Sequence, residues 1–317
     1  MKRIILIGTG NLGKRYLQAI FNARGEFICH CHDIDREALD GIPEFLLRNN
    51  ITARPEIHYR FSDISGEIDR DSLVIIASTA GGRREMISEI ATLQPAAMII
   101  EKPVAQTAEN YLHILNECRE RGIDAFTHYT LRFQPFCTEL KSMVADEKAF
   151  EFILSLPAMG LACVSIHYID LFLWLFGLHS AELSAMDYAG IYEQKRRGFY
   201  DMYGEAVVRI PGRGTARFIN TETEGIRTLI IGLQEKVISV YEDQRLMTVV
   251  NRVDKTVTQH EFQYRFASQY MTSVIENYLN GDVNASGELV TLEEAFRSHR
   301  IIYDYMEKSG NKDLNIT

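Results

Sequence analysis

Six residues near the amino terminus, Gly8-Thr9-Gly10-Asn11-Leu12-Gly13, have the spacing of a phosphate cradle. They follow a β-branched apolar run, Arg3 to Ile7, and open a helical stretch that reaches about Asn22. In that setting Gly8 allows a tight turn, Gly10 lets a pyrophosphate approach the backbone, and Gly13 permits close helix packing. The N–H groups of the helix start, around Asn11 and Leu12, face the phosphates with the positive end of the helix dipole. Asp33 stands 20 residues after Gly13, at the end of the next strand. A carboxylate there accepts hydrogen bonds from ribose hydroxyls and repels the 2′-phosphate of NADP. NAD is therefore the expected cofactor and NADP the weaker candidate. Arg36 could reach a phosphate, but on a following helix it is expected to face solvent.

Such a cradle needs alternating strands and helices, and the sequence supplies them. Strand-like runs at Phe27 to His32, Leu73 to Ala77 and Met98 to Ile100 are separated by helical segments such as Arg83 to Leu93 and Ala108 to Arg121. The last of these stops at Gly122. The alternation predicts a parallel, doubly wound Rossmann sheet over residues 1–127. Beyond it the pattern changes to a helix near Gln134 to Val144, a strand at Phe150 to Leu156 and a helix from about Val164 to Phe176. From Glu205 to Val257 the chain is strand-rich, with Pro211-Gly212-Arg213-Gly214 a hairpin turn. Helices at about Phe266 to Leu279 and Leu292 to Lys308 close the chain. The fold class is α/β: an N-terminal Rossmann domain, then a domain at 128–317 with an open, mainly antiparallel sheet. The second domain is expected to bind substrate, and the last helices to pack back on the first domain.

With 317 residues, 46% hydrophobic and 24% charged, the chain can bury a core in each of two domains. Its formal net charge of −9 argues against a nucleic-acid footprint. The longest apolar runs, Ile4 to Ile7 and Leu171 to Phe176, are too short for a bilayer, and no signal-peptide core follows the N-terminus, so a cytoplasmic protein is expected. The five cysteines form no CxxC pair. Cys29 and Cys31 alternate with His30 and His32, and a strand's period of two sends the two types to opposite faces. No metal site is expected.

At Glu101-Lys102-Pro103 the chain resembles the Gfo/Idh/MocA oxidoreductase family. The tripeptide ends an apolar strand and follows the glycine motif and Asp71 to Thr79 at the family's spacing. The resemblance continues through Arg132-Phe133-Gln134-Pro135, through Ser165 to Gly177, and through Ser286 to Gly310, which is nearly the whole chain. It implies hydride transfer between NAD or NADP and a sugar, sugar derivative or cyclitol, often by a homodimer or homotetramer. It also places Lys102 beside the nicotinamide and a substrate hydroxyl, with Glu101, Ser78 and Thr79 around the cofactor, and makes His167 the general acid or base. That chemistry suits the residue types. Oxidising an alcohol needs a base near neutral pKa, which histidine provides, and a nearby cation to stabilise alkoxide charge.

The same resemblance places His128 and Tyr129 at the domain crossing near the nicotinamide, and these two, with Arg132, Cys163 and Tyr168, are the candidate substrate contacts. It also marks a departure. The family commonly carries aspartate four residues before the histidine, where this chain has Cys163. The loop before the helix is also short, Pro157 to Leu161. A thiol is a weak donor and acceptor, so the substrate either lacks a hydroxyl there or satisfies it through Tyr168 or water, and simple monosaccharides and inositols are expected to be poor substrates. Asp170, one turn after His167, is open to two roles, orienting the imidazole or a structural one. Lys195-Arg196-Arg197 reads as a solvated loop rather than an anion site. The main reading is an NAD-dependent dehydrogenase or reductase. Its rivals are an NAD-retaining glycosidase or epimerase and a non-catalytic NAD-binding sensor.

Overall fold

A computed structural model describes residues 1–52, 54, 56–61 and 65–316. The chain divides into two units, one formed by residues 1–128 with 265–293, the other by 129–264 with the residues from 294 onward.

The first unit begins with strand β1 (Lys2–Ile7), helix α1 (Asn11–Asn22) and strand β2 (Phe27–Asp33). Short helices α2 (Arg36–Asp40) and α3 (Ile42–Arg48) lead to β3 (Ile57–Phe61) and β4 (Ser72–Ile76). Then come α4 (Arg83–Thr92), β5 (Ala97–Ile100), α5 (Ala108–Glu120) and β6 (Asp124–Thr127). These six strands are parallel and ordered β6-β5-β4-β1-β2-β3. The order reverses at β1, so the carboxyl ends of β1 and β4 open a crevice at the switch point. Ile4 to Leu6 and Leu73 to Ile76 are wholly buried. Both faces of these central strands are covered, which is why they read as unbroken β-branched runs.

In the second unit, α6 (Pro135–Val144), β7 (Phe150–Pro157) and α7 (Ser165–Leu175) precede a meander of long strands. These are β8 (Leu183–Glu193), β9 (Tyr200–Ile210), β10 (Gly214–Thr221), β11 (Thr228–Leu233), β12 (Lys236–Tyr241), β13 (Leu246–Asn251) and β14 (Val257–Glu261). Together with β7 they form an eight-stranded sheet, β14-β13-β12-β11-β7-β10-β9-β8, antiparallel except where β7 runs parallel to β10. In β7, Phe150, Phe152, Leu154 and Leu156 are buried while the alternate residues are partly or fully exposed, as expected of a sheet with one covered face. Phe152 and Phe218 meet Phe172 of α7, with ring centroids 5.2 and 6.0 Å away. The hairpin at 211–213 pairs Val208 with Ala216.

Strand β8 was not anticipated. Most of its residues are exposed or half-exposed, so it carries no hydrophobic alternation to betray it.

The chain then returns to the first unit as α8 (Ala267–Leu279) and β15 (Val290–Thr291), which pairs antiparallel with β6, before ending in α9 (Leu292–Lys308). Met271, Val274 and Ile275 of α8 share a core with Leu17, Ile20 and Phe21 of α1. Tyr278 donates to the carbonyl of Arg3 at 3.0 Å. Cys29 and Cys31 face this core, their sulfurs 3.8 Å apart, while His30 meets Glu67 at 3.2 Å and stacks on His58. The two residue types therefore lie on opposite faces of β2. Among the described residues no helix is long and apolar enough to cross a membrane.

Candidate functional site

The glycine turn is shaped by contacts only glycine tolerates. Gly8 has φ +90°, and a Cβ there would lie 2.6 Å from the backbone nitrogen of Ser78. A Cβ on Gly13 would lie 1.9 Å from the Gly8 carbonyl oxygen. Helix and strand thus approach to backbone contact. Gly10 has open space around it, and as the residue preceding α1 it offers no side-chain cap. Gly10, Asn11 and Leu12 are exposed. The orphan N–H groups of the first helical turn are left for a ligand. A cradle open at Gly10, closed at Gly13 and uncapped at the helix start fits a dinucleotide pyrophosphate.

Asp33 is held in place by its neighbours. Its Oδ2 accepts from the Thr9 backbone at 2.6 Å and the Thr9 hydroxyl at 2.9 Å, and its Oδ1 accepts from the Asp35 backbone at 2.9 Å. A carboxylate has about four lone-pair directions, so acceptor capacity remains. Thr9, a variable position of the motif, was missed as a functional residue, yet it fixes this carboxylate. Arg36 opens α2 with its side chain exposed to solvent.

The segment after β5 is held from two directions. Glu101 is buried and accepts from the Tyr16 hydroxyl of α1 and, at 3.2 Å, from the Lys102 backbone. Burial raises its carboxyl pKa, against the opposing pull of Tyr16, Lys102 and Arg83. Arg83, the first residue of α4 and 2% exposed, donates to the carbonyls of Ser78, Glu101 and, at 2.6 Å, Pro103. One guanidinium therefore ties the Ser78–Thr79 loop to the residues flanking Lys102. Sequence reading missed it, because an arginine opening a helix looks solvated. Lys102 itself is half-buried, and the peptide bond to Pro103 is cis. His128 closes this group with its Nδ1 3.4 Å from the Tyr16 hydroxyl. Burial lowers its pKa to about 4, so its ring is neutral, and its buried Nε2 has no partner among the described residues.

His167 lies in the second unit, in the first turn of α7. From Ser165 to Leu173 it is the one residue that is not fully buried. Tyr129 meets its ring edge-on, with centroids 5.6 Å apart and planes at 77°. Asp170 pairs elsewhere: Arg132 lies 3.4 Å from it and 2.7 Å from Glu294. Burial lifts the Asp170 pKa to about 7 even with Arg132 beside it. The structural role open to Asp170 is the one its ion pair supports. The guanidinium of Arg132, expected near substrate, is 6% exposed and committed to two carboxylates.

Two further expectations change. Tyr168 is buried with its hydroxyl on Glu242, which also accepts from Tyr264 and lies 3.6 Å from Arg227. It is a core residue on the sheet side of α7, and its hydroxyl is not offered to a substrate. Cys163 is also buried, its sulfur accepting from Gln194 at 3.1 Å. A carboxylate is nevertheless present here, supplied by β9. Asp201 accepts from the backbones of Ala162 at 2.7 Å, Cys163 at 2.9 Å and Met202 at 2.7 Å. Gly160 must be glycine beneath it, since a Cβ would lie 2.2 Å from Asp201 Oδ2. No spacing in the sequence joins residue 201 to residue 163. Lys195, Arg196 and Arg197 are exposed in the turn between β8 and β9.

Comparison with known proteins agrees with this construction. Residues 2–129 match the family model described as the oxidoreductase family, NAD-binding Rossmann fold. This stretch is similar to the nucleotide-binding part of the Gfo/Idh/MocA oxidoreductases. It carries the NAD-binding fold of that family. Along almost the full chain the fold is similar to solved oxidoreductases. An oxidoreductase from Agrobacterium radiobacter in complex with NAD+, L-tartaric acid and magnesium is 12% identical, with a TM-score of 0.74, covering 98% of this chain and 96% of that one. The UDP-N-acetylglucosamine 3-dehydrogenase GnnA from Acidithiobacillus ferrooxidans is 17% identical, with a TM-score of 0.68 and coverage of 98% and 97%. Levoglucosan dehydrogenase in complex with NADH and levoglucosan is 14% identical, with a TM-score of 0.70 and coverage of 98% of each chain. No curated protein matches the sequence.

The glycines separate folding from binding. Gly13→Ala is expected to cost about 3 kcal/mol or more, because backbone rather than a flexible side chain must give way. Gly10→Ala is expected to keep the melting temperature and lose NAD affinity on the order of ten-fold or more, as its methyl would stand where phosphate approaches. Thermal melts and cofactor titrations of both variants check the contrast.

His128 gives a pH dependence with a definite sign. Its pKa falls from an ordinary value near 6.5 to about 4 on folding, so the unfolded chain takes up this proton first. Stability from this group is fully present above about pH 6.5 and is lost as pH falls toward about 4, by at most about 3 kcal/mol. Urea denaturation at about pH 7 and about pH 5 should show a smaller acid loss in His128→Asn than in the parent.

Proposed function

We propose that the protein is an NAD-dependent dehydrogenase or reductase that interconverts a CH–OH group and a carbonyl on a sugar, sugar derivative or cyclitol. The observation that carries this reading is His167, a partly accessible imidazole on a helix whose neighbours are buried, in a chain that also presents Lys102 from a tightly held segment. In the oxidation direction His167 takes the substrate hydroxyl proton, and the ammonium of Lys102 stabilises negative charge growing on that oxygen. The N–H groups at Gly10 to Gly13 hold the pyrophosphate, Asp33 accepts from the adenosine ribose, and Ser78, Thr79 and Glu101 line the nicotinamide side. NAD supplies the hydride acceptor. The uncovered face of the second sheet, where Ile230 and Val250 stay 36% exposed, serves a homodimer or homotetramer. The carbohydrate class is supported by relatives of the same fold that are named as acting on a nucleotide sugar and on levoglucosan.

Cofactor choice tests the first half of the reading. NAD(H) is expected to bind more tightly than NADP(H), because Asp33 faces the 2′ position and Arg36 points to solvent. Equal or stronger NADP binding in paired titrations would overturn it.

The chemistry is tested with a panel of sugars, sugar acids, nucleotide sugars and cyclitols, following release of NADH. Lys102→Ala and His167→Ala are expected to lose at least about a hundred-fold in kcat while keeping the fold and most NAD affinity. Cys163→Ser is expected to stay active, since its buried thiol is already a hydrogen-bond acceptor. Turnover without free NADH would favour an NAD-retaining glycosidase or epimerase. Tight NAD binding with no turnover would favour a sensor.

A further inference from the structure

A phenol buried completely inside a protein has to find partners for its hydroxyl, and the partners of Tyr129 define their own directions. Its oxygen lies 2.8 Å from Ser298 Oγ and 3.0 Å from His299 Nδ1, both on α9. Ser298 donates to the Ala295 carbonyl at 2.9 Å, so its oxygen is left to accept the Tyr129 proton. His299 Nδ1 also lies 2.9 Å from the Ala295 carbonyl. A carbonyl only accepts, so Nδ1 carries hydrogen and shares it with the phenol oxygen. The hydroxyl is thereby held between two side chains of α9, and the Tyr129 ring is pinned at both ends, by its backbone and by α9.

What the pinned ring touches on its other side is His167, edge-on at 5.6 Å. Helix α7 fixes the Cα of His167, but the imidazole torsion is broad and intrinsically soft, and this side chain is partly open to solvent. A rigid aromatic edge against it selects one ring orientation. Resting on the reading of His167 as the acid or base, we infer that Tyr129 is a positioning residue for His167, held in place by Ser298 and His299. The remaining charged and titratable neighbours of Tyr129 are Asp170, Arg132 and Tyr303. Burial, with Asp170 adding to it, drives the phenol pKa well above its ordinary value, so Tyr129 acts as a neutral hydroxyl and ring and does not itself exchange protons with substrate.

The test reads His167 directly and needs no substrate. In the full chain labelled with 15N, long-range proton–nitrogen spectra report the tautomer of each of the nine histidines, and His167→Gln assigns the signal. The parent is expected to show His167 as one tautomer. Tyr129→Leu removes the ring, Tyr129→Phe removes only the hydroxyl, and Ser298→Ala removes the acceptor. Each is expected to move the His167 nitrogen shifts toward the average of two tautomers and to shift its titration midpoint, Tyr129→Leu the most. On a substrate that the parent turns over, kcat should fall on the order of ten-fold with KM nearly unchanged. Unchanged His167 shifts in folded Tyr129→Leu would overturn the inference. Should that variant fail to fold, unchanged shifts in both Tyr129→Phe and Ser298→Ala would do so. A protein without sugar turnover but with Tyr129-dependent His167 shifts would sink the proposed function and leave the positioning intact; turnover with unmoved shifts would do the reverse.

Discussion

Three backbone carbonyls, of Ser78, Glu101 and Pro103, converge on the buried guanidinium of Arg83. A carbonyl withdrawn from water without a donor is costly, and so is a buried cation without acceptors. Here each satisfies the other. Arginine suits the position because its planar fork carries five N–H donors in fixed directions. The loops after β4 and β5 cannot move apart without stranding both sides, and Lys102 lies between two of the residues so held. From the opposite side Tyr16 reaches Glu101 from the helix that also begins the phosphate cradle. Helix α1, the loop after β4 and the segment around Lys102 are thus joined through hydrogen bonds inside one unit.

The second unit follows the same rule with the signs reversed. Asp201 is a buried carboxylate that gathers the backbone N–H groups of Ala162, Cys163 and Met202. Burial pushes its pKa up, and those N–H groups pull it down. The short loop from Pro157 to Leu161 therefore has an internal anchor, and the start of α7, with His167 in its first turn, inherits a fixed position. Glu242 does the same work behind the helix by collecting Tyr168 and Tyr264. Charges that read as surface features in a linear sequence are, in these places, buried and paired.

This explains which parts of the molecule could be read in advance. The Rossmann strands were legible because burial on both faces forces runs such as Ile4 to Ile7 and Leu73 to Ile76, and the glycine turn was legible because backbone contact leaves no other residue type. Asp33 could be named from its spacing, since strand and helix lengths dictate it. Strand β8 could not, because a strand with little buried surface owes its place to main-chain pairing with β9, which leaves no side-chain signature. Thr9, Arg83, Asp201, Ser298 and His299 were illegible for a different reason. Each acts on residues brought to it only by the fold, such as Asp33 for Thr9 or Tyr129 for the α9 pair.

The cases of Tyr168 and Arg132 show how the same blindness misleads in the other direction. Both lie in segments that resemble functional stretches of the family, and a polar side chain next to His167 or just past the domain crossing invites a substrate role. The helix decides otherwise for Tyr168. Adjacent residues on α7 project about 100° apart, so when His167 takes the accessible face, Tyr168 is carried toward the sheet, where only a buried acceptor can keep its hydroxyl; Glu242 is that acceptor. Arg132 follows from charge rather than geometry. Asp170 is buried, and without a cation its carboxylate would have to stay protonated well beyond neutral pH. Burial raises its pKa to about 7 against the pull of Arg132, and a guanidinium shared between Asp170 and Glu294 has little left to offer a substrate.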